Sequence, residues 1–295
     1  MQVTVKSGKY VVAVSGGVDS MVLLDVLTKL PGVDLVVAHF EHGIREDSDE
    51  DRKLVEKAAA AYDVPFIYER GNLGAGVSES WAREVRYTFL NKVLEETGSQ
   101  AIITAHHQDD MLETAIINMT RGTGRKGLSS MAGGDVVRPL LSYSKQEILD
   151  YARANNITWH EDSTNGNDAY LRNYIRHQVL PRLDDASKQQ LLSYIGKAQE
   201  LNPAIDGLLS DDLRANMNDD GLNRQWFIML PYNVSCETMA AWLRSQGVRE
   251  FDRKLIERLV VAAKVAQPGK RIDVNAVTLL KIGKGRLQLS ARNSF

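Results

Sequence analysis

The chain has 295 residues, of which 43% are hydrophobic and 25% are charged, and its formal net charge is −2. This length suits one large domain or one domain with a smaller companion, and the charge provides no general attraction to nucleic acid. A single cysteine, Cys236, excludes an intramolecular disulfide framework and a cysteine-rich metal site. The apolar runs are too short for a membrane span and the first residues lack a signal-peptide pattern, so we expect a cytoplasmic protein.

Apolar, β-rich runs alternate with amphipathic segments through the first half of the chain. We predict strands at 9–14, 34–40, 64–68, 101–105 and about 135–140. We predict helices over 20–30, 48–62, 77–97 and 109–120. This alternation favours an α/β fold with a Rossmann-like, doubly wound parallel sheet covered on both faces.

From about residue 144 the pattern becomes mostly helical, and the run Asn218-Asp-Asp-Gly221 marks a turn. We predict a catalytic domain over 1–216 and a small, mainly helical C-terminal domain over 220–295. Inside the small domain we expect helices near 236–246 and 252–264. Short strands are expected there near 271–274 and 286–290.

The run from Ser15 through Gly16, Gly17, Val18 and Asp19 to Ser20 follows the first predicted strand and precedes the first helix. Adjacent glycines let the backbone approach an anion, and the N–H groups at a helix N-terminus favour phosphate. The loop lacks the Gly-Lys-Ser/Thr ending of a Walker A motif. Asp19 would repel phosphate unless a cation lies between them, and Mg²⁺ is the cation we expect.

A second constellation follows the fourth strand and includes His106, Asp110 and Glu113. The two acids are three residues apart, so they share one helical face, although acids in a first turn also simply favour the helix dipole. With a strand order of 3-2-1-4-5, the first and fourth strands are neighbours at the crevice where ligands bind. Asp19 and Asp110 would then share a metal ion or orient a nucleophile.

Several arginines and a lysine form local basic groups along the acidic chain. Arg83 and Arg86 lie within about one helical turn, and Arg172 and Arg176 are spaced for one helical face. Guanidinium pairs suit phosphate recognition, and solvated surface is the alternative explanation. Further basic residues occur in a glycine-rich segment, namely Arg121 and Lys126.

Taken together, these segments resemble the tRNA(Ile)-lysidine synthases of the PP-loop ATP-pyrophosphatase superfamily, in matching order over about residues 9–182. The Ser15–Ser20 loop alone would indicate only the superfamily. The narrower resemblance is carried by His42-Gly-Ile-Arg45, Ala82-Arg-x-x-Arg-Tyr87, His106-x-x-Asp-Asp-x-x-Glu-Thr114, Arg121-Gly-Thr-Gly124, Arg138-Pro-Leu-Leu141, Asp162-Ser-Thr-Asn165 and Arg172-Asn-x-Ile-Arg176.

The resemblance implies a ligase that uses ATP and Mg²⁺ to attach L-lysine to C2 of the wobble cytidine, position 34, of a CAU-anticodon tRNA(Ile). The loop at 15–20 would hold the phosphates, with Asp19 assisting Mg²⁺. Asp110 and Glu113 would bind the amine of lysine, and His106 would accept a proton. Arg83 or Arg86 would stabilise the adenylate or hold the lysine carboxylate. The expected tRNA contacts are Arg121, Lys126, Arg172 and Arg176.

Other functions remain open on the sequence alone. A tRNA thiolase or an amide-forming synthetase of the same superfamily would share the Ser15–Ser20 loop. The lone Cys236 disfavours the thiolase, because that chemistry resembles proteins with paired cysteines. A non-catalytic protein that binds nucleotide or RNA is a third alternative, which the acids at both strand ends disfavour. The oligomeric state is open too, and a homodimer is one state that the sequence allows.

Overall fold

A computed structural model describes residues 1–41, 43, 48–71, 74, 77–129, 131, 136–161, 171–248 and 251–292. The strands are β1 (Gly8–Ala13), β2 (Val33–Glu41), β3 (Phe66–Arg70), β4 (Ala101–Ile103), β5 (Val136–Val137), β6 (Met217–Asn218), β7 (Gly221–Asn223), β8 (Arg271–Asp273), β9 (Thr278–Ile282) and β10 (Arg286–Ala291). The α-helices are α1 (Val18–Thr28), α2 (Ser48–Ala61), α3 (Glu79–Thr97), α4 (Gln108–Thr120), α5 (Arg125–Leu128), α6 (Lys145–Ala154), α7 (Leu171–Tyr174), α8 (Asp185–Asn216), α9 (Arg224–Met229), α10 (Tyr232–Ser245) and α11 (Arg253–Val265).

The chain divides by its internal packing into two compact units. The first unit comprises Met1–Thr114 and Met131–Lys188, and the second comprises Ala115–Ser130 and Gln189–Phe295. The predicted catalytic domain ends at Asn216, the last residue of helix α8. The division by packing instead falls near the start of that helix, between Lys188 and Gln189. The assignment of 1–216 to catalysis and 220–295 to tRNA binding therefore stays a prediction.

The first unit contains a five-stranded sheet in the order β3-β2-β1-β4-β5. All four strand pairings are parallel, with Val12 of β1 opposite both Val37 of β2 and Ile103 of β4. The predicted α/β fold is confirmed, and the strand order is the one on which the expected meeting of Asp19 and Asp110 depends. Strands β1 and β4 are therefore neighbours, and the loops that follow them open at the same edge of the sheet.

Both faces of this sheet are covered. The adjacent β1 residues Val11 and Val12 are fully buried, yet they belong to different hydrophobic clusters. Val12 packs in the cluster that includes Leu23 of α1, whereas Val11 packs with Phe89 and Leu90 of α3. Because successive side chains of a strand point to opposite faces, an uninterrupted apolar run requires helices on both sides.

The second unit contains a five-stranded antiparallel sheet in the order β6-β7-β10-β9-β8 together with helices. The predicted helices near 236–246 and 252–264 correspond to α10 and α11. Buried Arg224 binds the C-terminal end of α11: its Nε donates to the Ala263 carbonyl at 2.8 Å, and Nη2 donates to the Ala266 carbonyl. A cation at this end of a helix satisfies carbonyls that have no partner within the helix.

No helix in the described ranges is both long and apolar enough to cross a membrane.

Candidate active site

The Ser15–Ser20 loop follows β1 and runs into the first turn of α1. Gly16 has φ = +95°, which is easily reached only by glycine, and Gly17 caps α1 without a side-chain hydrogen bond. The Ser20 hydroxyl accepts the Ser15 N–H at 3.1 Å and donates to the Gly17 carbonyl at 2.9 Å. Internal hydrogen bonds therefore hold the loop in shape, while the positive end of the α1 dipole favours a negatively charged ligand.

Neighbouring segments hold the N-terminal side of this loop. The His160 N–H donates to the Gly16 carbonyl at 3.1 Å, and the His160 Nδ1 lies 2.9 Å from Oδ1 of Asp51. The His39 Nδ1 lies 2.8 Å from the Val14 carbonyl. His39 is buried, and burial lowers the pKa of its imidazole, so the ring is neutral at pH 7 and Nδ1 can donate to this carbonyl.

Asp19 is paired with a residue that the sequence analysis did not single out. The ammonium of Lys145 donates to both carboxylate oxygens of Asp19, at 2.6 and 2.7 Å. Lys145 is the first residue of α6, which Ser144 and Glu147 begin with a capping box. The Ser-x-x-Glu pattern of that capping box was the available sequence signal, because it places a helix start just after the fifth strand.

The predicted meeting of the two constellations is found in the structure. Buried His107 precedes α4 and donates its backbone N–H to Oδ2 of Asp110 at 3.0 Å. Its Nε2 lies 3.4 Å from Asp110 and 3.8 Å from Asp19. Burial alone would raise the pKa of Asp110, but the ring and N–H of His107, with His106 and Arg176, hold it below its usual value.

Glu113 is fully buried and lies against two arginines. Arg176 Nε donates to Oε1 of Glu113 at 2.6 Å and Nη2 donates to Oε2 at 2.9 Å, while Nη2 also lies 3.3 Å from Asp110. Arg172 Nη2 donates to the Thr114 hydroxyl at 2.8 Å, and its Nε lies 3.6 Å from Glu113. Burial raises the pKa of Glu113, and the arginines oppose that rise. A protein guanidinium therefore lies where the sequence predicted a substrate amine.

His106 lies among the predicted catalytic arginines. Its Nδ1 lies 2.7 Å from the Thr104 hydroxyl, and burial lowers the pKa of the imidazole to about 4. Asp110 opposes this shift, whereas the charges of Arg138, Arg83 and Arg86 add to it. The arginines gather around one ring: the guanidinium carbons of Arg83 and Arg86 lie 4.7 and 5.7 Å from the centre of Tyr87.

Residues 1–183 match the PP-loop domain family. The chain is 44% identical over 274 residues to the tRNA(Ile)-lysidine synthase of Exiguobacterium sibiricum. The aligned region covers 88% of this chain and 64% of that protein. It is also 30% identical to the tRNA(Ile)-lysidine synthase of Francisella tularensis subsp. holarctica. That alignment covers 90% of this chain and 69% of that protein. The chain belongs to the tRNA(Ile)-lysidine synthase family.

The family membership agrees with the fold seen in solved structures. The U34-tRNA thiolase NcsA from Methanococcus maripaludis superposes with a TM-score of 0.55, at 17% identity, over 66% of this chain and 73% of that one. At this identity the likeness concerns the fold alone. Against three tRNA(Ile)-lysidine synthases that it matches, the chain spans 64%, 55% and 48% of their length.

Two further residues with predicted tRNA contacts lie in the second unit. Arg121 is exposed, whereas the ammonium of Lys126 lies 2.8 Å from Asp206. Arg172 and Arg176 belong to the first unit, where their partners are Thr114 and the acids of α4. Contact of these four cations with tRNA stays a prediction, and for Lys126, Arg172 and Arg176 it requires an exchange of partners.

Some family-like motifs cannot be placed. His42, Arg45 and the run Asp162–Asn165 lie outside the described residues. Within the described ranges, no group of three or more His, Cys, Asp or Glu side chains is arranged to hold a metal ion.

Proposed function

We propose that this chain is an ATP-dependent ligase that joins L-lysine to C2 of cytidine 34 in a CAU-anticodon tRNA(Ile). The observation that carries the proposal is the meeting of Asp19 and Asp110 around His107 Nε2, at the edge where β1 and β4 end. Their proximity supports a single ligand crevice that takes in the Ser15–Ser20 loop and a carboxylate of α4. Family membership supports lysine transfer as the reaction that uses this crevice.

In the first step, the C2 oxygen of the cytidine attacks the α-phosphorus of ATP and pyrophosphate leaves. The loop residues Ser15–Ser20 bind the phosphates through backbone N–H groups and the α1 dipole. The residues present fit Mg²⁺, since this ion binds through one or two carboxylates together with substrate phosphates. Asp19, a part-exposed carboxylate at the loop, would hold the ion, which supplies charge neutralisation for the phosphates when bound.

In the second step, the side-chain amine of lysine attacks C2, and AMP leaves. A free lysine amine has a pKa of about 10.4, so it must lose a proton before it can attack. Asp110 and Glu113 would bind the ammonium, for which Arg176 would have to release Glu113, and neutral His106 would take up the proton. The pKa of His106 is about 4, well below that of the lysine ammonium. Proton transfer from the ammonium to His106 is therefore unfavourable unless the charge that develops in the product assists it.

The remaining cations would serve the anionic groups of the substrates. Arg83 or Arg86 would stabilise the adenylate or bind the lysine carboxylate, because a fixed guanidinium charge stabilises negative charge on a substrate. The tRNA backbone would contact Arg121, Lys126, Arg172 and Arg176 and the domain over 220–295. A cytoplasmic location and a homodimer stay predictions.

The test is incubation of the full chain with ATP, radiolabelled lysine and a tRNA(Ile) transcript that carries CAU. We expect label in the tRNA together with release of AMP and pyrophosphate, and no label in a transcript with GAU. The variant Asp110→Asn should lose lysine transfer. Binding of ATP and tRNA without any lysine incorporation would reject the proposal in favour of another PP-loop reaction or a non-catalytic role.

A further inference from the structure

The position of Lys145 is unusual for a residue that only supports its own helix. It is the first residue of α6, where a positive charge opposes the helix dipole. The preceding Tyr143 carbonyl accepts the N–H of Gln108, the first residue of α4, at 2.9 Å. The backbone beside Lys145 is thereby fixed against the start of α4, and the side chain extends to the phosphate loop.

The Lys145 ammonium can exchange its partner Asp19 for a bound polyphosphate. The Lys145 side chain is 36% exposed and that of Asp19 is 29% exposed, so water reaches both groups. Ion pairs with this much solvent access contribute little net free energy, whereas a polyphosphate offers an ammonium several charged acceptors. Transfer of the ammonium from one carboxylate to a polyphosphate is therefore electrostatically favourable.

A phosphate bound at the loop would also need a nearby cation, because two carboxylates lie close to the loop. Asp19 and Asp110 both lie within 4 Å of His107 Nε2, and the guanidinium of Arg176 is held by Glu113 and Asp110. Among the described residues, Lys145 pairs with the carboxylate of Asp19 alone, so it has a single ion pair to give up. Arg176 would have to leave a fully buried carboxylate, which is far more costly.

We propose that Lys145 is a binding residue for the β- and γ-phosphates of ATP and for the pyrophosphate leaving group. The proposal rests on the ATP-dependent function proposed above. In adenylation the α-phosphorus forms a bond to the cytidine oxygen, and its bond to the α,β-bridging oxygen breaks. The bridging oxygen leaves with the electron pair as part of pyrophosphate. The Lys145 ammonium donates hydrogen bonds to this leaving group, and no proton is transferred.

The alternative is that Lys145 only neutralises Asp19, and a set of four proteins separates the two roles. Wild type, Lys145→Met, Asp19→Asn and the double variant are titrated by calorimetry with ATP, AMP and inorganic pyrophosphate at constant Mg²⁺. For Lys145→Met we expect the Kd for ATP and pyrophosphate to rise at least about tenfold, and the Kd for AMP to stay within about twofold. Equal weakening of AMP and pyrophosphate, or no weakening, would overturn the proposal.

The double variant gives the decisive comparison, because Asp19→Asn removes the charge that Lys145 would otherwise neutralise. We expect the double variant to bind pyrophosphate at least about tenfold more weakly than Asp19→Asn alone. Equal affinities of these two proteins would show that Lys145 acts only on Asp19. This pair also remains informative if Lys145→Met alone does not fold, since neither protein contains an unpaired Asp19 charge.

Lys29→Met is the matched control. Lys29 donates one hydrogen bond of 2.7 Å to the more deeply buried Asp25, at the opposite end of α1 from the loop. All three affinities should stay within about twofold of wild type, in line with a distant surface substitution. These measurements need neither tRNA nor lysine. A wild-type protein that binds ATP without transferring lysine would therefore reject the proposed ligase and leave the test of Lys145 intact.

Discussion

Arg176 holds Glu113 with two hydrogen bonds, from Nε to Oε1 at 2.6 Å and from Nη2 to Oε2 at 2.9 Å. The carboxylate is fully buried, while the arginine side chain is 34% exposed. Such a pair is directional, because the guanidinium fork matches the carboxylate edge to edge. It fixes the segment that begins at α7 to the face of α4 that carries the proposed amine-binding acids.

Arg176→Met should destabilise the first unit, because it leaves the buried Glu113 without its two-point partner. Loss of one member of a buried pair costs about 3–5 kcal/mol, and we expect about 2 kcal/mol here since Arg176 is part-exposed and Arg172 lies nearby. Urea unfolding at pH 7 measures this change. The exposed Arg182→Met serves as control and should stay within about 0.5 kcal/mol. An unchanged midpoint for Arg176→Met would show that the pair does not stabilise the fold.

Gly16→Ala should weaken ATP binding by at least about tenfold. At Gly16 a Cβ atom would find ordinary contacts, the nearest at 3.4 Å from Asp51, so space does not forbid alanine. The φ angle of +95° does, at a cost of about 1–2 kcal/mol that the loop avoids by changing shape. Equilibrium titration with ATP measures the effect.

Gly196→Ala is the matched control, because Gly196 lies within helix α8 and a Cβ there meets nothing within 4 Å. This variant should bind ATP like wild type and gain about 0.5–1 kcal/mol of stability from helix propensity. Wild-type ATP affinity in Gly16→Ala would show that the left-handed conformation is not required for the ligand.

His106 should titrate with a pKa of about 4 in the folded protein. Its ordinary value is 6.5, so between about pH 6.5 and pH 4 the unfolded chain binds the proton and the native protein does not. Stability should therefore fall as the pH drops through this window, by about 1 kcal/mol per pH unit. Histidine side-chain NMR gives the pKa, with His106→Asn identifying the signal.

The same variant supplies the stability control. Between pH 7 and pH 5, urea unfolding of His106→Asn should lose less stability than wild type by the amount assigned to this one group. An imidazole pKa above about 6, or parallel pH profiles for the two proteins, would contradict the burial-driven shift.

Arg125→Lys should destabilise the second unit, although the charge is kept. The guanidinium donates from Nε to Glu237 at 3.0 Å, from Nη1 to the Asn202 side chain at 2.6 Å and from Nη2 to Asp206 at 2.6 Å. An ammonium lacks the planar fork needed for all three directions, so we expect a loss of about 2 kcal/mol in urea unfolding.

Arg214→Lys is the corresponding control, since its pair with Asp211 has side chains 79% and 72% exposed. It should change the free energy of unfolding by less than about 0.5 kcal/mol. If Arg125→Lys is equally neutral, the three contacts of Arg125 do not act as a stabilising network.

The local pattern of the sequence was enough to predict the strands of the parallel sheet and helices α1 to α4. The uninterrupted apolar runs predicted strands covered on both faces, and the β-α alternation predicted a parallel sheet. The order β3-β2-β1-β4-β5 was a condition of the site hypothesis, and the structure supplies it. In the second unit, α10 and α11 were predicted, but β9 and the β6–β7 hairpin were not. Strands of two or three residues, such as β6 and β7, are too short for a periodic signal, and pairing rather than propensity forms them.

The sequence by itself determined the glycine loop, the acids of α4 and the sheet edge at which they meet, because each depends on near neighbours in the chain and a topology rule. Only the tertiary structure decided which cation lies against which acid. Lys145 reaches Asp19 across 126 residues, and Arg176 reaches Glu113 across 63. Such pairs depend on where distant segments converge and on the direction of each side chain, and neither leaves a periodic trace in the sequence.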